Sequence, residues 1–182
     1  MTRKRKRLLG CLLPALVVFL LLVVLPLVSF VQRPRDTLGD HTLSILRGAD
    51  RVETFRLSDM GEGDSLGSSK EIKQFPLVAQ GKTQGKAFAA RLTRLMQDPR
   101  TYVGPNDSTC FFNPGVAYRV WRGRECVEVI ACFHCRQMLI TTKDAAGRPV
   151  HTASTDFWQM RAEFIALAKD TFPGDKELQA LT

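Results

Sequence analysis

The chain has 182 residues, which is enough for one domain with its own hydrophobic core. Its formal net charge of +8 is of the sign and size found in nucleic-acid-binding proteins. Five of its 26 Lys and Arg residues lie between Arg3 and Arg7, and the other 21 nearly balance the 18 Asp and Glu residues, which leaves only +3. These remaining charges alternate in sign and form no basic face, so we expect no nucleic-acid partner.

The first predicted element is a membrane-spanning helix at residues 8–31. This run contains no charged side chain, and about 20 apolar residues suffice to cross a bilayer core of about 30 Å. The basic tail at residues 1–7 is expected to stay in the cytoplasm, which places the rest of the chain outside the cell membrane in a single pass. The lipid bilayer is therefore the expected partner of residues 8–31.

A cleaved signal peptide is the alternative interpretation of this run. Such peptides have an apolar core of about 7–15 residues followed by a cleavage site of small residues. The run at 8–31 is longer than that, and Leu27-Val28-Ser29 matches a cleavage site poorly. The pattern therefore favours an uncleaved anchor.

Beyond the anchor, the sequence predicts a short polar stalk at residues 32–40 and one exported domain at residues 41–182. The domain opens with a weakly helical segment that ends near Gly48. The next segment, Arg51–Leu57, is rich in β-branched and aromatic residues and predicts a strand.

Two further segments follow before the first strong helical pattern. Residues 58–70 are rich in Gly, Ser and acidic residues, which predicts a loop. Phe75–Ala79 predicts a short strand at the edge of a sheet, because Pro76 cannot donate a ladder hydrogen bond.

Two amphipathic helices are predicted, one on each side of a β-rich centre. The first begins at Thr83 and carries one apolar stripe, made of Phe88, Leu92, Leu95 and Met96. The second runs from Thr155 to Phe172, with Ser154 or Thr155 as its N-cap and an apolar side made of Phe157, Met160, Phe164, Ile165 and Ala168.

The β-rich centre begins with a predicted hairpin. Its strands are Val116–Trp121 and Cys126–Cys132, and they flank a reversal at Arg122-Gly123. A further run, Gln137–Thr142, either continues the second strand or forms a third. Successive antiparallel strands between two helices predict an α+β domain with an antiparallel sheet and two main helices.

Four cysteines lie outside the predicted anchor, and the segment Cys132–Cys135 has the C-x-x-C spacing. One interpretation is a redox dithiol, but that chemistry places the first Cys at a helix N-terminus, and the flanking residues here favour strands. A second is a metal site with Cys110, Cys132, Cys135 and either Cys126 or His134 as ligands, although a comparable second pair is missing.

The third interpretation is a structural disulfide, which export to an oxidising compartment would preserve. If the hairpin reverses at Arg122-Gly123, Cys110 lies beside Cys135. A bulge at Pro114-Gly115 would place Cys110 beside Cys132 instead. The disulfide candidates are therefore Cys110, Cys132 and Cys135, with Cys110 joined to one of the other two.

A resemblance is carried by the segments Cys110–Gly115 (CFFNPG) and Val127–Cys135 (VEVIACFHC), with looser similarity near Gly48–Glu53. The chain resembles an uncharacterised family of small exported bacterial proteins, which offers no activity to transfer. The family pattern has equivalents of Cys110, Cys132 and Cys135 but not of Cys126. The resemblance therefore implies that Cys126 is a free, buried thiol.

The sequence thus predicts a single-pass, membrane-anchored protein with a binding or structural role, no catalytic residue, no cofactor and an unidentified protein partner. The alternative function is an exported thiol-redox or metal protein that uses Cys132 and Cys135. The element after Cys135 discriminates between the two, since a strand favours a structural role and a helix favours redox chemistry.

Overall fold

The computed structural model of the protein describes residues 33–58, 71–72, 75–104 and 110–182, together with 18–19, 22–23 and 25–27. The chain divides into two compact units, Met1–Arg33 and Pro34–Thr182. In the first unit the described residues are helical, and six large apolar side chains are exposed: Val18, Phe19, Leu22, Val23, Leu25 and Leu27.

Most of the predicted membrane-spanning helix at 8–31 lies outside the described residues, as do the basic tail and residues 59–70 of the predicted loop. Within the part of the chain that the structure describes, no helix combines the length and the apolar character needed to cross a bilayer.

The second unit contains an antiparallel sheet. Its strands are β1 (Arg51–Leu57), β2 (Glu71–Ile72), β3 (Phe75–Gln80), β4 (Val116–Arg122), β5 (Glu125–Cys132), β6 (Gln137–Lys143) and β7 (Pro149–Asp156). They lie side by side in the order β2-β3-β1-β4-β5-β6-β7, and each neighbouring pair is antiparallel. β4 to β7 follow one another as hairpins, so this half of the sheet needs only short turns.

Helices precede, interrupt and follow these strands, which confirms the predicted α+β class. We label the helical residues 34–47 as α1, and the later helices are α2 (Lys86–Gln97), α3 (Arg161–Thr171) and α4 (Lys176–Ala180). Two short 3-10 helices, Pro99–Tyr102 and Trp158–Met160, connect α2 and α3 to their neighbours.

One face of the sheet packs against α1, α2 and α3 to form the main core. The sheet contributes alternate residues of its central strands, among them Val52, Tyr118, Val129 and Ile140. The helices contribute buried side chains, among them Leu46, Leu92, Met96, Phe164 and Leu167. Phe88 and Leu95 of the predicted α2 stripe pack at the edge of this core, partly exposed.

The opposite face of the sheet is divided. One part carries a smaller apolar cluster, made of Phe55, Leu57, Ile72, Phe75, Ala117 and Ile130. The other part, toward the β4–β5 and β6–β7 turns, carries polar and charged residues. No described helix packs on this second part.

The predicted stalk at 32–40 differs from the structure, because residues 33–40 are helical and residues 34–40 form the first part of α1. Leu38 is fully buried in the main core. The buried stripe of α1 runs Leu38, Thr42, Ile45 and Leu46, and the polar Thr42 interrupts its apolar pattern. The Thr42 hydroxyl is satisfied by a 2.7 Å hydrogen bond to the hydroxyl of Thr142.

The first predicted helix begins three residues later than expected, at Lys86 instead of Thr83. Gln84 explains the delay, because it forms an antiparallel bridge with Val52 of β1. The two residues exchange backbone hydrogen bonds of 2.9 and 2.8 Å. The chain is therefore held extended until Gly85.

The start of the second predicted helix was wrong, because α3 begins at Arg161 instead of Thr155. Ser154 and Thr155, the predicted N-caps, lie in β7, where Thr155 pairs with Met138 of β6. The sequence of β7 is mostly polar and does not alternate apolar with polar residues, so its local pattern gave only a weak strand signal. Pairing with β6 supplies the hydrogen bonds that hold it extended.

Candidate functional site

The predicted cysteine segment lies at the turn between β5 and β6. Cys132 is the last residue of β5, and Cys135 lies in the turn that Arg136 closes with a φ of 60°. The residue after this turn starts β6, so the run Gln137–Thr142 is a third strand. A strand after Cys135 is the outcome that favours a structural role for the cysteines.

Cys110 and Cys135 form a disulfide, with 2.05 Å between the sulfurs and 5.6 Å between the Cα atoms. This is one of the two pairings that the sequence left open. Cys132 and Cys126 are free and buried. The thiol sulfur of Cys132 accepts a 3.2 Å hydrogen bond from the backbone N–H of Cys135, which fixes it directly beside the bridged residue.

The hairpin register that led to this pairing was wrong by two residues. The reversal occurs at Gly123-Arg124, where Gly123 has a φ of 59°, and Val116 therefore lies opposite Ala131. Cys110 lies before the start of β4 and outside its ladder. It reaches Cys135 because Gly115 still donates to the Ala131 carbonyl at 3.0 Å and keeps the preceding segment beside the end of β5.

The alternative metal set is not assembled. Among the described residues, no three His, Cys, Asp or Glu side chains lie close enough together to hold a metal ion. Cys110 and Cys135 are joined to each other, Cys132 is enclosed in the core, and His134 is exposed on the turn.

A second cluster, which the sequence reading missed, occupies the polar part of the open sheet face. The strand register places four residues in one row across β1, β4, β5 and β6, which we call the outer row: Arg51, Trp121, Cys126 and Lys143. A parallel row, the inner row, consists of Glu53, Arg119, Glu128 and Thr141. The two rows are adjacent, because side chains two apart on a strand share a face.

Glu128 holds the two rows together. Its side chain is only 1% exposed, although no described helix covers this face. One carboxylate oxygen, Oε2, accepts from Nε of Arg119 at 2.8 Å and from Nζ of Lys143 at 3.1 Å. The other oxygen, Oε1, is buried without a hydrogen-bond partner in the described part of the chain.

A cavity of about 550 Å³ opens above the outer row, between the β4–β5 and β6–β7 turns, and we call it the turn cleft. Its lining includes Arg51, Arg119, Trp121, Arg124, Cys126 and Lys143. The guanidinium of Arg51 lies 4.9 Å from the centre of the Trp121 ring, a cation–π contact. The indole N–H of Trp121 is buried and has no partner among the described residues.

The pKa values of two titratable groups in the turn cleft differ from their usual values. Burial raises the pKa of the Cys126 thiol, with the charge of Lys143 opposing this, so the thiol stays protonated near neutral pH. The backbone N–H of Arg148 and then its guanidinium lower the pKa of Asp144. Asp144 is therefore ionised but already paired with Arg148.

A third group, around Arg56, is structural. Arg56 donates to Asp175 at 2.6 Å, to Glu177, and to the backbone carbonyls of Leu57 and Gly115. These bonds tie α4 to β1 and leave the guanidinium largely satisfied. The 760 Å³ cavity beside it is lined by Arg56 and by the two acids that pair with it.

Comparisons of this chain with protein-family profiles, with curated proteins and with solved structures find no match. Its function is therefore argued from its own residues.

Proposed function

We propose that the chain is a single-pass membrane protein whose α+β domain lies outside the cytoplasm and has a binding or structural role without catalysis. Residues 8–31 would lie in the lipid bilayer, and residues 1–7 would stay cytoplasmic. The observation that carries this proposal is the Cys110–Cys135 disulfide.

Disulfides persist in oxidising compartments and are rare in the cytosol, so this bridge supports export. It closes a loop of 25 residues between the segment before β4 and the β5–β6 turn. Gly115, between Cys110 and β4, donates a backbone hydrogen bond to Ala131 of β5, and the bridge adds a covalent link beside it. A strand, not a helix, follows Cys135, which supports a structural role for the pair.

The first unit supports the anchor. Its six described large apolar side chains are between 48% and 70% exposed. Contiguous exposed apolar surface is costly in water and is typical of a segment that meets lipid or another protein. The uncharged run 8–31 and the five preceding cationic residues favour lipid, with the basic end in the cytoplasm.

Reporter fusions test the orientation. An alkaline phosphatase fused after Thr182, active only where disulfides form, is expected to be active, and a cytoplasmic reporter at the same point is expected to be inactive. Neutralising Arg3 to Arg7 should weaken this bias. A C-terminal fusion that is active in the cytoplasm would overturn the proposal.

A thiol-redox function is the second candidate, and the hydrogen bond from the Cys135 N–H to Cys132 favours it. In such a reaction the Cys132 thiolate would attack the Cys135 sulfur, forming a Cys132–Cys135 bond and releasing Cys110 as a thiolate that takes up the proton. This exchange consumes no external oxidant. The full burial of Cys132 opposes it.

The Cys110→Ser variant separates the two candidates. After mild oxidation, peptide mapping would find a Cys132–Cys135 bridge if the redox candidate is right. Two free thiols at these positions would support the structural role.

A further inference from the structure

We propose that the turn cleft binds a small organic oxyanion, a carboxylate or phosphate carried on a flat apolar body. The arginines at its rim would contact the charged group, and Trp121 would contact the body. This inference names a ligand class for the binding role proposed above, and it rests on that role.

The charge of the turn cleft points to an anion. Its lining contains the cations of Arg51, Arg119, Arg124 and Lys143. Among the described lining residues, Asp144 is the one acid, and its carboxylate is occupied by the Arg148 guanidinium at 2.8 Å and by two backbone N–H groups. Like charges gathered at one cavity leave a field that a complementary anion relieves.

The cations differ in how far they are already neutralised. Arg119 and Lys143 share the single charge of Glu128, so this triad keeps a net charge of about +1. Arg51 lies 3.9 Å from Glu53, at the limit of an ion pair. Arg124 is exposed and makes no ion pair with any residue that the structure describes. Arg124 is therefore the side chain most available to a ligand, and guanidinium groups bind carboxylate and phosphate with two parallel hydrogen bonds.

The floor of the turn cleft suits the apolar part of such a ligand. Trp121 and Cys126 are direct cross-strand neighbours, and both line the cleft, so the indole ring and the protonated thiol give its floor a weakly polar character. The guanidinium of Arg51, on the neighbouring strand, lies over this ring, 4.9 Å from its centre. The cavity of about 550 Å³ matches the size of a small-molecule site, about 300–1,000 Å³.

The arrangement is also fixed before any ligand arrives. The buried carboxylate of Glu128 anchors Arg119 and Lys143 at 2.8 and 3.1 Å. Burying a charge is costly unless it is paired and hydrogen-bonded, and this carboxylate pairs with both cations. The pairing holds the two cations in place at the base of the cleft, and preorganised groups lose less entropy on binding.

Trp121 provides the readout. The chain has two Trp residues, and Trp158, which is exposed beside Arg136, can be replaced by Phe to leave Trp121 as the single fluorophore. The full chain in a non-ionic detergent is titrated at constant ionic strength with phenyl phosphate, with benzoate, and with neutral benzyl alcohol. The amide signals of Gly123 and Gly147 are followed by NMR in parallel.

We expect phenyl phosphate or benzoate to shift Trp121 emission saturably and to move both glycine signals, and benzyl alcohol to do neither. The two anions distinguish phosphate from carboxylate preference. Arg124→Ala should weaken binding by about tenfold, because it removes an exposed guanidinium together with its charge-assisted hydrogen bonds to the ligand. Arg91→Ala removes an exposed charge from α2, outside the turn cleft, and should leave binding unchanged.

Absence of saturation in both readouts would overturn the inference. Equal binding by the Arg124→Ala protein, or equal binding of benzyl alcohol, would do so as well. The reporter fusions test a separate claim. If the domain is exported but does not bind the anions, only the proposed ligand class is wrong. If the protein binds the anions but its C-terminus is cytoplasmic, only the proposed location is wrong.

Discussion

The backbone N–H of Cys135 donates a 3.2 Å hydrogen bond to the sulfur of Cys132, while the sulfur of Cys135 is bonded to Cys110. The C-x-x-C spacing thus brings its two residues together without bridging them. The bridge instead links the β5–β6 turn to the segment before β4. A lone C-x-x-C spacing can therefore mark the end of a hairpin as well as a redox pair.

Removal of the Cys110–Cys135 bridge should destabilise the domain. For a loop of 25 residues, the chain-entropy model gives about 3 kcal/mol of lost unfolding free energy. We expect Cys110→Ser and Cys135→Ser to show similar losses in urea unfolding, and the double variant to lose no more than either single variant, because one bond is removed in all three.

Reduction of the wild-type protein is the matched control, and it should reproduce the loss seen in the serine variants. A reductant should then have little further effect on those variants. Wild-type stability in either single variant under oxidising conditions would mean that the bridge is not formed in solution.

The helix faces give a second prediction. Leu92 of α2 and Phe164 of α3 are fully buried in the main core. Replacing either with Ala should reduce the unfolding free energy by about 2–5 kcal/mol, because the lost contacts and the remaining cavity both contribute.

Arg91 on the exposed side of α2 is the control for Leu92. It forms an ion pair with Asp170 in which both side chains are about half exposed. Such surface pairs contribute about 0–1 kcal/mol, so Arg91→Ala should have a small effect. Equal losses in Leu92→Ala and Arg91→Ala would contradict the assigned faces.

Local pattern predicted those elements whose residues carry their own signal. β1, β4, β5 and β6 are rich in β-branched and aromatic residues, and the α2 stripe follows the helical period. β7 is mostly polar, lacks an alternating apolar pattern and is held extended by pairing with β6. α1 buries Thr42 against Thr142, a contact 100 residues away, so its stripe reads as interrupted.

The turn cleft could not be predicted from the sequence, for a related reason. Its residues come from four strands and two turns that are far apart in the sequence. A one-residue change of register would move each side chain to the opposite face. The exact pairing of Trp121 with Cys126 and of Cys126 with Lys143 therefore had to be known first. Predicting the disulfide required less exact knowledge of the register, because it was sufficient that the segments containing Cys110 and Cys135 lie close together.

The ion pair between Arg56 and Asp175 gives a third prediction, on pH. Burial alone would raise the pKa of Asp175, but the Leu178 N–H, which it caps at 2.9 Å, and Arg56 together lower it. The folded pKa is therefore below the unfolded value of about 3.9. The stabilisation is complete above that value and is lost as the pH falls through the folded pKa.

Asp175→Asn keeps a good N-cap for α4 and removes only the charge. At pH 7 we expect it to unfold at lower urea concentration than the wild type, by about 1 kcal/mol. The difference should shrink as the pH falls below about 4, because the wild-type carboxylate is then protonated as well. A difference that stays constant down to pH 2 would show that the charge is not its cause.

The last prediction concerns the buried carboxylate of Glu128, whose Oε2 receives both Arg119 and Lys143. Removing one cation leaves a buried charge with one partner, so Arg119→Met and Lys143→Met should each reduce the unfolding free energy by about 1–3 kcal/mol. In a Glu128→Gln background the charge is absent, and the same two substitutions should be much less harmful. Urea unfolding of the single and double variants measures this coupling directly. Additive losses would mean that the three side chains are independent, and that Glu128 does not hold the two rows of the open face together.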